Sequence, residues 1–494
     1  MECGDETGHG RKRGRQGRGI RLSSVLPDAR FVACDDVLAT GCHDKASRCR
    51  PGDLFVARLS EDEDGHEAVA EAVARGVSGI LAERMVPSFG VPLCLVPDTA
   101  AAMTLVVHAL HGRPAERLEI VAVTGTSGKT TTAWLAASVL AEAGLRVGVL
   151  SDLGFLDGDA ETAVRPEPLD DPHVFAGWLG RLAATGCSHA VVEVSSRMLA
   201  RESLAGIDCG VAAITNLGRA HLDLHGSEQA YHAVKARIVS SLAADGGLVL
   251  NLDDPRLAAL AAKHAGRVIG TGLKTPADFM ATPVERSLDG QTFLLRSGEG
   301  MMPLAVSTPV ASFARNALVA GAIGSACGIE LSQIARGLEA AASVAGRLER
   351  IDRGQEFAAF HDGPTSGHQI ASTLASLRHL TPGRLVAVAD ESNAAALGGE
   401  WRRFASRAMR WCDEAVVVPS RLPTAAATSS RFISRIDRLL SGLSRGDCLL
   451  VVGSPAVAPD PFDPSGERMA ATLVEGWIQM ACPPAWPAVR RRAA

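Results

Sequence analysis

Short unbroken apolar runs alternate along the chain with stretches whose apolar positions recur at helical spacing. LFVA at 54–57, GILAE from 79 and PLCLVP from 92 are separated by the helical stretch HEAVAEAVARG and by turn residues. Unbroken runs of this length are buried strands, and their alternation with helices predicts a small α/β unit. HGRPAERLE, 111–119, is polar and holds a proline, and the run IVAV follows at once, so a boundary near 115 is expected. Beyond it AWLAASVLAEAG reads as a helix ended by Gly144, and RVGVL, HAVVEVSS and GVAAITNL read as strands. A third series, FAAF, RLVAVAD, EAVVVP and CLLVVG, begins after AGRLERI at 345–351. The pattern predicts α/β architecture in three domains, at 23–115, 116–345 and 346–480, built on parallel sheets covered on both faces. Terminal segments 1–22 and 481–494 are expected to be disordered tails.

Composition narrows the function classes. Hydrophobic residues make up 47% of the 494 and charged residues 21%, as in a soluble globular protein. The net charge of −5 is spread along the chain, which argues against a nucleic-acid partner. The basic run RKRGRQGRGIR, 11–21, has no apolar segment after its charges and so is not a secretory signal. No apolar window is long enough to span a bilayer, so no membrane association and a cytoplasmic location are expected. Eleven cysteines without a C-x-x-C pair or zinc spacing predict buried reduced thiols, with neither a disulfide frame nor structural zinc.

The sharpest chemistry is VAVTGTSGKTT, 121–131, where a buried-strand run passes through a glycine loop into a helix. Gly125 and Gly128 let the backbone approach oxygen atoms, and amides freed at the helix start face an anion. With Thr126, Ser127 and Thr131 they form a loop for the phosphates of ATP; Lys129 supplies charge, and the Thr130 hydroxyl can reach Mg²⁺ between the β and γ phosphates. Where the usual pattern has a first glycine, this chain has Val123. That points to one branch of phosphate-loop enzymes.

T-G-T-x-G-K-T-T after such a strand resembles the Mur ligase superfamily, ATP-dependent enzymes that add amino acids to UDP-muramoyl peptides. Within it, AVVEVSSRMLARESLAGIDCGVAAITNLGRAHLDLHG (190–226), YHAVKARI (231–238), VLNLDD (249–254) and AGRLE (345–349) resemble the UDP-N-acetylmuramoyl-tripeptide synthetases. RPGDLFVA and DGHEAVAEAVARGVSGILAE resemble their N-terminal UDP-binding domain. The likeness runs from about residue 23 to 480 and weakens after 355. In related folate polyglutamate synthetases the loop lies near the chain start; here 120 residues precede it, which favours the muramoyl-peptide branch.

The resemblance implies transfer of the γ-phosphoryl group to a substrate carboxylate, then attack by an amine on the acyl phosphate. Glu193 would bind one Mg²⁺ and His221 a second. Lys235, on a helix that Ser227 is expected to cap, matches the lysine that reacts with CO₂ to give N6-carboxylysine. Asn216 and Asn316 would line the ATP side, Arg347 would reach the phosphates, and Ser195, Ser196 and Arg201 would face the substrate. Small-molecule partners follow: ATP, a UDP-sugar peptide and an amino acid, handled by a monomer.

Several family positions differ. S-S-H reads Ser195-Ser196-Arg197, Ser203 replaces an arginine that contacts the muramoyl peptide, and Ala220 replaces an acid before His221. F-N-x-x-N reads Phe313-Ala314-Arg315-Asn316, and D-Y-A-H-T-P becomes His361-Asp362-Gly363-Pro364-Thr365-Ser366. G-D-R-D, D-N-P-R and G-K-G-H-E have no clear counterpart. Two functions stay open on these residues: an active ligase with an altered acceptor or amine, or an ATP-binding paralogue that has lost ligation and serves a regulatory or scaffolding role. In either case no efficient diaminopimelate addition is expected.

Overall fold

The computed structural model describes residues 19–59, 64–158, 168–341, 344, 346–352, 354–363, 367–390, 408, 410–418 and 438–453. Both expected tails lie outside these residues, apart from 19–22. The chain divides into two compact units, one of residues 1–117, 168–180 and 200–207, the other of the remainder.

In the first unit five strands form one sheet: β1 (Arg30–Val32), β2 (Cys42–His43), β3 (Leu54–Ala57), β4 (Gly79–Ala82) and β5 (Leu93–Leu95), in the order β1-β5-β4-β3-β2. All pairings are parallel except β1 with β5. LFVA is β3 to the residue, and all four of its side chains are buried. Helix α1 (Val69–Ala74) and helix α2 (Thr99–Leu110) belong to the same unit. Asp98 caps α2 by accepting from the Ala101 amide.

The second unit holds two sheets. The larger contains β6 (Glu119–Thr124), β7 (Val147–Ser151), β8 (Gly154–Leu156), β9 (His189–Glu193), β10 (Cys209–Ile214), β11 (Leu242–Asn251), β12 (Arg267–Gly272), β13 (Phe279–Ser287), β14 (Gly290–Ser297) and β15 (Gly300–Val306). Their order is β8-β7-β9-β6-β10-β11-β12-β13-β14-β15. Helix α3 (Lys129–Glu142) leaves the end of β6. Its end is where the sequence placed it, with Gly144 at φ +82° in the left-handed region. Residues Ile120 to Val123 are fully buried, each contributing on the order of 1.5–3 kcal/mol where the side chain is large.

The sheet is parallel through its middle, but not at its edges, where the expectation of purely parallel sheets needs correcting. β8 turns back antiparallel on β7, and β13, β14 and β15 form an antiparallel meander. Its residues alternate in burial, with Gln291, Phe293 and Leu295 inward and their neighbours outward. A strand covered on one face needs that period of two, and short turns such as Asp289-Gly290 suffice to connect such strands.

The smaller sheet comprises β16 (Glu349–Arg350), β17 (Ala358–Asp362), β18 (Leu385–Asp390), β19 (Glu414–Val418) and β20 (Cys448–Val452), in the order β16-β17-β20-β18-β19. Only the β16 pairing is antiparallel. The third series of apolar runs therefore forms a parallel sheet. The described cysteines are all free and most are buried. Among the described residues no helix is long and apolar enough to cross a membrane.

Candidate active site

Three neighbouring strands bring the predicted chemistry to one edge of the large sheet. β9 and β10 flank β6 in parallel, with Glu193 in register with Val123 and Ile214 with Thr124. All three chains therefore emerge from the sheet together at their carboxyl ends, where open α/β sheets bind ligands. The loop 125–128 springs from that edge.

The glycines are required by geometry. Gly125 has φ +148° and Gly128 φ +82°, which side-chain-bearing residues rarely adopt. A Cβ at Gly125 would overlap the Thr215 hydroxyl, and one at Gly128 the Asn316 side-chain oxygen. Asn316, on the helix Ala311–Ala326, thus lies against the loop. Asn216 braces it as well: its Oδ1 accepts from the Ser127 amide at 3.1 Å and its Nδ2 donates to the Ser127 carbonyl at 2.8 Å. Thr126 Oγ1 accepts from the Gly218 amide at 2.7 Å. Lys129, Thr130 and Thr131 open α3, with Gly128 as its cap residue.

Glu193 is 2% exposed at the end of β9. Its Oε2 accepts from the Thr130 hydroxyl at 2.8 Å and from the Asp152 amide at 3.1 Å. Oε1 is buried with no hydrogen-bond partner, and Lys129 Nζ stands 3.7 Å from it. Burial and then Asp152 push its carboxyl above the ordinary range, while Lys129 pulls the other way. A buried, half-satisfied carboxylate beside a hydroxyl and a phosphate loop suits a hard cation. Among the described residues no three His, Cys, Asp or Glu side chains gather as a metal group.

Lys235 is not the exposed helix lysine its composition suggests; it is 1% exposed. It lies in the last turn of helix α4 (Glu228–Ala236), which Ser227 caps by accepting from the Ala230 amide at 3.1 Å, as expected. Its Nζ donates to Thr124 Oγ1 at 3.2 Å and lies 5.1 Å from the centre of the Tyr231 ring. Burial, then the charge of Lys129, depress its proton affinity well below the ordinary lysine value, partly opposed by Glu193 and Asp152. His221 has φ +50° and heads the short turn Leu222–His225. Burial, Lys129 and Lys235 lower its proton affinity too.

Arg347 donates to Thr130 Oγ1 at 3.5 Å and lowers the proton affinity of buried Asp362, on which burial acts more strongly in the opposite sense. Ser195 and Ser196 are engaged locally, Ser195 Oγ accepting from the Met198 amide at 3.1 Å and Ser196 Oγ lying 3.0 Å from His225 Nε2. Arg201 belongs to the first unit, where it pairs with Asp170 at 2.7 Å. Sequence reasoning missed Asp152, Thr124 and Tyr231. Asp152 had a usable signal, an acid just beyond a parallel strand.

The Mur ligase middle domain family matches residues 123–324. A protein named UDP-N-acetylmuramoyl-L-alanyl-D-glutamate--2,6-diaminopimelate ligase from Geobacillus thermodenitrificans is 32% identical over 378 residues, covering 74% of this chain and 76% of its own. A UDP-N-acetylmuramyl-tripeptide synthetase from Deinococcus radiodurans is 31% identical over 379 residues, with 74% and 76% covered. Among solved structures, a UDP-N-acetylmuramoyl-L-alanyl-D-glutamate--2,6-diaminopimelate ligase superposes with a TM-score of 0.68 at 20% identity, covering 88% of this chain and 93% of that one. That superposition supports the α/β ligase fold.

Proposed function

This chain belongs to the Mur ligase family, and from that premise we propose that the phosphate loop, Glu193, His221 and Lys235 carry out its reaction. It is an ATP-dependent acid–amino acid ligase of the peptidoglycan-precursor type, acting on a UDP-muramoyl-peptide-like substrate. The observation that carries the site assignment is the meeting of the loop, the half-satisfied Glu193 carboxylate and the buried Lys235 amine at one sheet edge. An inactive regulatory paralogue gains no support from residues so disposed.

In this reading the amides of the loop and Lys129 receive the β and γ phosphates of ATP, with Arg347 and Asn316 beside them. Thr130 and Glu193 would hold one Mg²⁺, and His221 with carbamylated Lys235 a second. Bound there, the cations offset charge on the transferring phosphoryl group. A substrate carboxylate oxygen attacks the γ phosphorus and ADP leaves. The amine nitrogen then attacks the acyl carbon, phosphate leaves, and the nitrogen loses a proton. Lys235 prepares the site in a separate step: its neutral nitrogen bonds to the carbon of CO₂ and releases a proton, which turns a cationic position into an anionic one. Low proton affinity favours this because only the free amine has the lone pair. His221, whose proton affinity burial and then Lys129 lower, likewise favours a ring lone pair.

We divide the chain as a UDP-substrate domain at 23–115, an ATP-binding domain at 116–345 and a C-terminal Rossmann-like domain at 346–480. The test is phosphate release from ATP with a panel of UDP-muramoyl peptides and amino acids. Release that needs both an acceptor and an amine is expected; none with any pair would sink the ligase reading.

A further inference from the structure

Tyr231 is the only tyrosine in the chain and is 1% exposed. Its hydroxyl donates to Thr126 Oγ1 at 3.3 Å, and Lys235, one helical turn later, places Nζ 5.1 Å from its ring centre. The rings of His225 and His221 stand 5.3 and 6.1 Å away. Burial raises the phenol's proton affinity, so it remains a donor. A threonine hydroxyl has two lone pairs and one hydrogen. At Thr126 one lone pair takes the Gly218 amide at 2.7 Å and the other takes Tyr231. Both acceptor places are filled, and among the described residues nothing accepts the Thr126 proton.

We propose that Tyr231 is a positioning residue that fixes Thr126 as a hydrogen-bond donor to a phosphate oxygen of ATP, while its ring holds the Lys235 stem on the same helix. Without the phenol, the Thr126 hydroxyl can rotate and present a lone pair to the phosphates, where it repels. The inference rests on the nucleotide reading of the loop but adds a residue with no phosphate contact of its own.

A double-mutant cycle on the full-length protein tests it, read as ATP affinity by calorimetry. Tyr231→Phe keeps the ring and removes only the hydroxyl; one hydrogen bond corresponds to roughly five- to tenfold weaker binding. Thr126→Val should weaken binding at least as much, and Tyr231→Phe added to it should do nothing further, because the tyrosine acts through that hydroxyl. Thr126→Ser retains the hydroxyl and should restore the effect of Tyr231→Phe. Fluorotyrosine labelling then gives one ¹⁹F resonance, which should shift on ATP saturation in wild type and Thr126→Ser but not in Thr126→Val. Unchanged affinity in Tyr231→Phe, or losses that add in the double variant, would overturn the proposal. Wild-type protein that binds no ATP would overturn the nucleotide reading as well, so the two failures are distinct.

Discussion

Replacing Lys235 with Ala tests the least conventional element of the site. An ordinary lysine, with a value near 10.4, is neutral in about one molecule per thousand at pH 7.4, and each unit of depression raises that fraction about tenfold. Here burial and Lys129 act together to depress it, partly opposed by Glu193 and Asp152, so the free-amine fraction at a given pH rises. The sign follows: carbamate formation is favoured above the depressed value and fails as pH falls through it, when the amine protonates. Lys235→Ala should lower kcat for ligation by about 10²–10³, the scale of losing one charged contact to a transition state. ATP affinity should change by less than about threefold, under 1 kcal/mol, since no contact joins Lys235 to the loop glycines. Steady-state ligation and nucleotide calorimetry would be run at controlled bicarbonate. Depleting bicarbonate should slow the wild type and leave the variant unaffected, and a short carboxylic acid should restore part of the variant's rate. Full activity in Lys235→Ala, or a wild type indifferent to bicarbonate depletion, would refute the reasoning.

Lys129→Ala should weaken ATP turnover by about 10²-fold or more, and unchanged turnover would remove the lysine from the loop's chemistry. Gly128→Ala combines φ +82° with overlap on Asn316; strain of about 1–3 kcal/mol should appear as ATP binding weaker by about tenfold, and unaltered affinity would contradict the geometry. Glu193 has a raised folded-state value, so its stabilising contribution is full below the unfolded value of about 4.3 and is lost as pH rises through the folded one. Glu193→Gln should therefore raise the Mg²⁺-free melting temperature by about 2 °C or more at pH 8 and abolish turnover; a lower melting temperature would mean that the carboxylate stabilises the fold.

Local signals in the sequence were sufficient for the strand-loop-helix at 119–142, because strand run, glycines and helix start are contiguous, and for LFVA as a strand. Other features depend on contacts distant in sequence. The Asp152 amide reaches Glu193 across 41 positions, and Lys235 reaches Thr124 across 111. No periodicity encodes such pairs. Lys235 lies near a helix end between Val234 and Ala236, where nothing local marks a lysine as buried, and only the family likeness singled it out. The antiparallel meander was overlooked for a different reason: its buried positions alternate with exposed ones, a weaker signal than the unbroken runs of the buried parallel strands. Arg201, grouped with Ser195 and Ser196 by sequence proximity, packs instead with the unit that holds Asp170.

Amine choice is where likeness and local chemistry diverge. Relatives at 31–32% identity are named for diaminopimelate addition or tripeptide synthesis, yet shared identity does not specify which groups meet the incoming amine. In enzymes that use diaminopimelate, the arginine of D-N-P-R and the G-K-G-H-E segment grip the distal amino acid group. Neither motif has a clear counterpart here; the stretches at roughly those places read PSRLP, 419–423, and GSPAV, 453–457, and fall outside the described residues apart from Gly453, whose amide donates to the Asp362 carbonyl at 3.0 Å. Arg421 could supply one charge. A zwitterionic end presents both a carboxylate and an ammonium, so one cation without a neighbouring acceptor satisfies half of it and leaves the ammonium to be desolvated unpaired. Where a site is built around paired polar contacts, losing them costs roughly 10⁴ in specificity, which outweighs what apolar contacts along the substrate chain can restore. The purified protein should thus add diaminopimelate poorly relative to an amine lacking that second zwitterion, in competition assays with both present. Robust formation of UDP-muramoyl-tripeptide from diaminopimelate would show that other residues supply the grip and restore the assignment carried by its relatives.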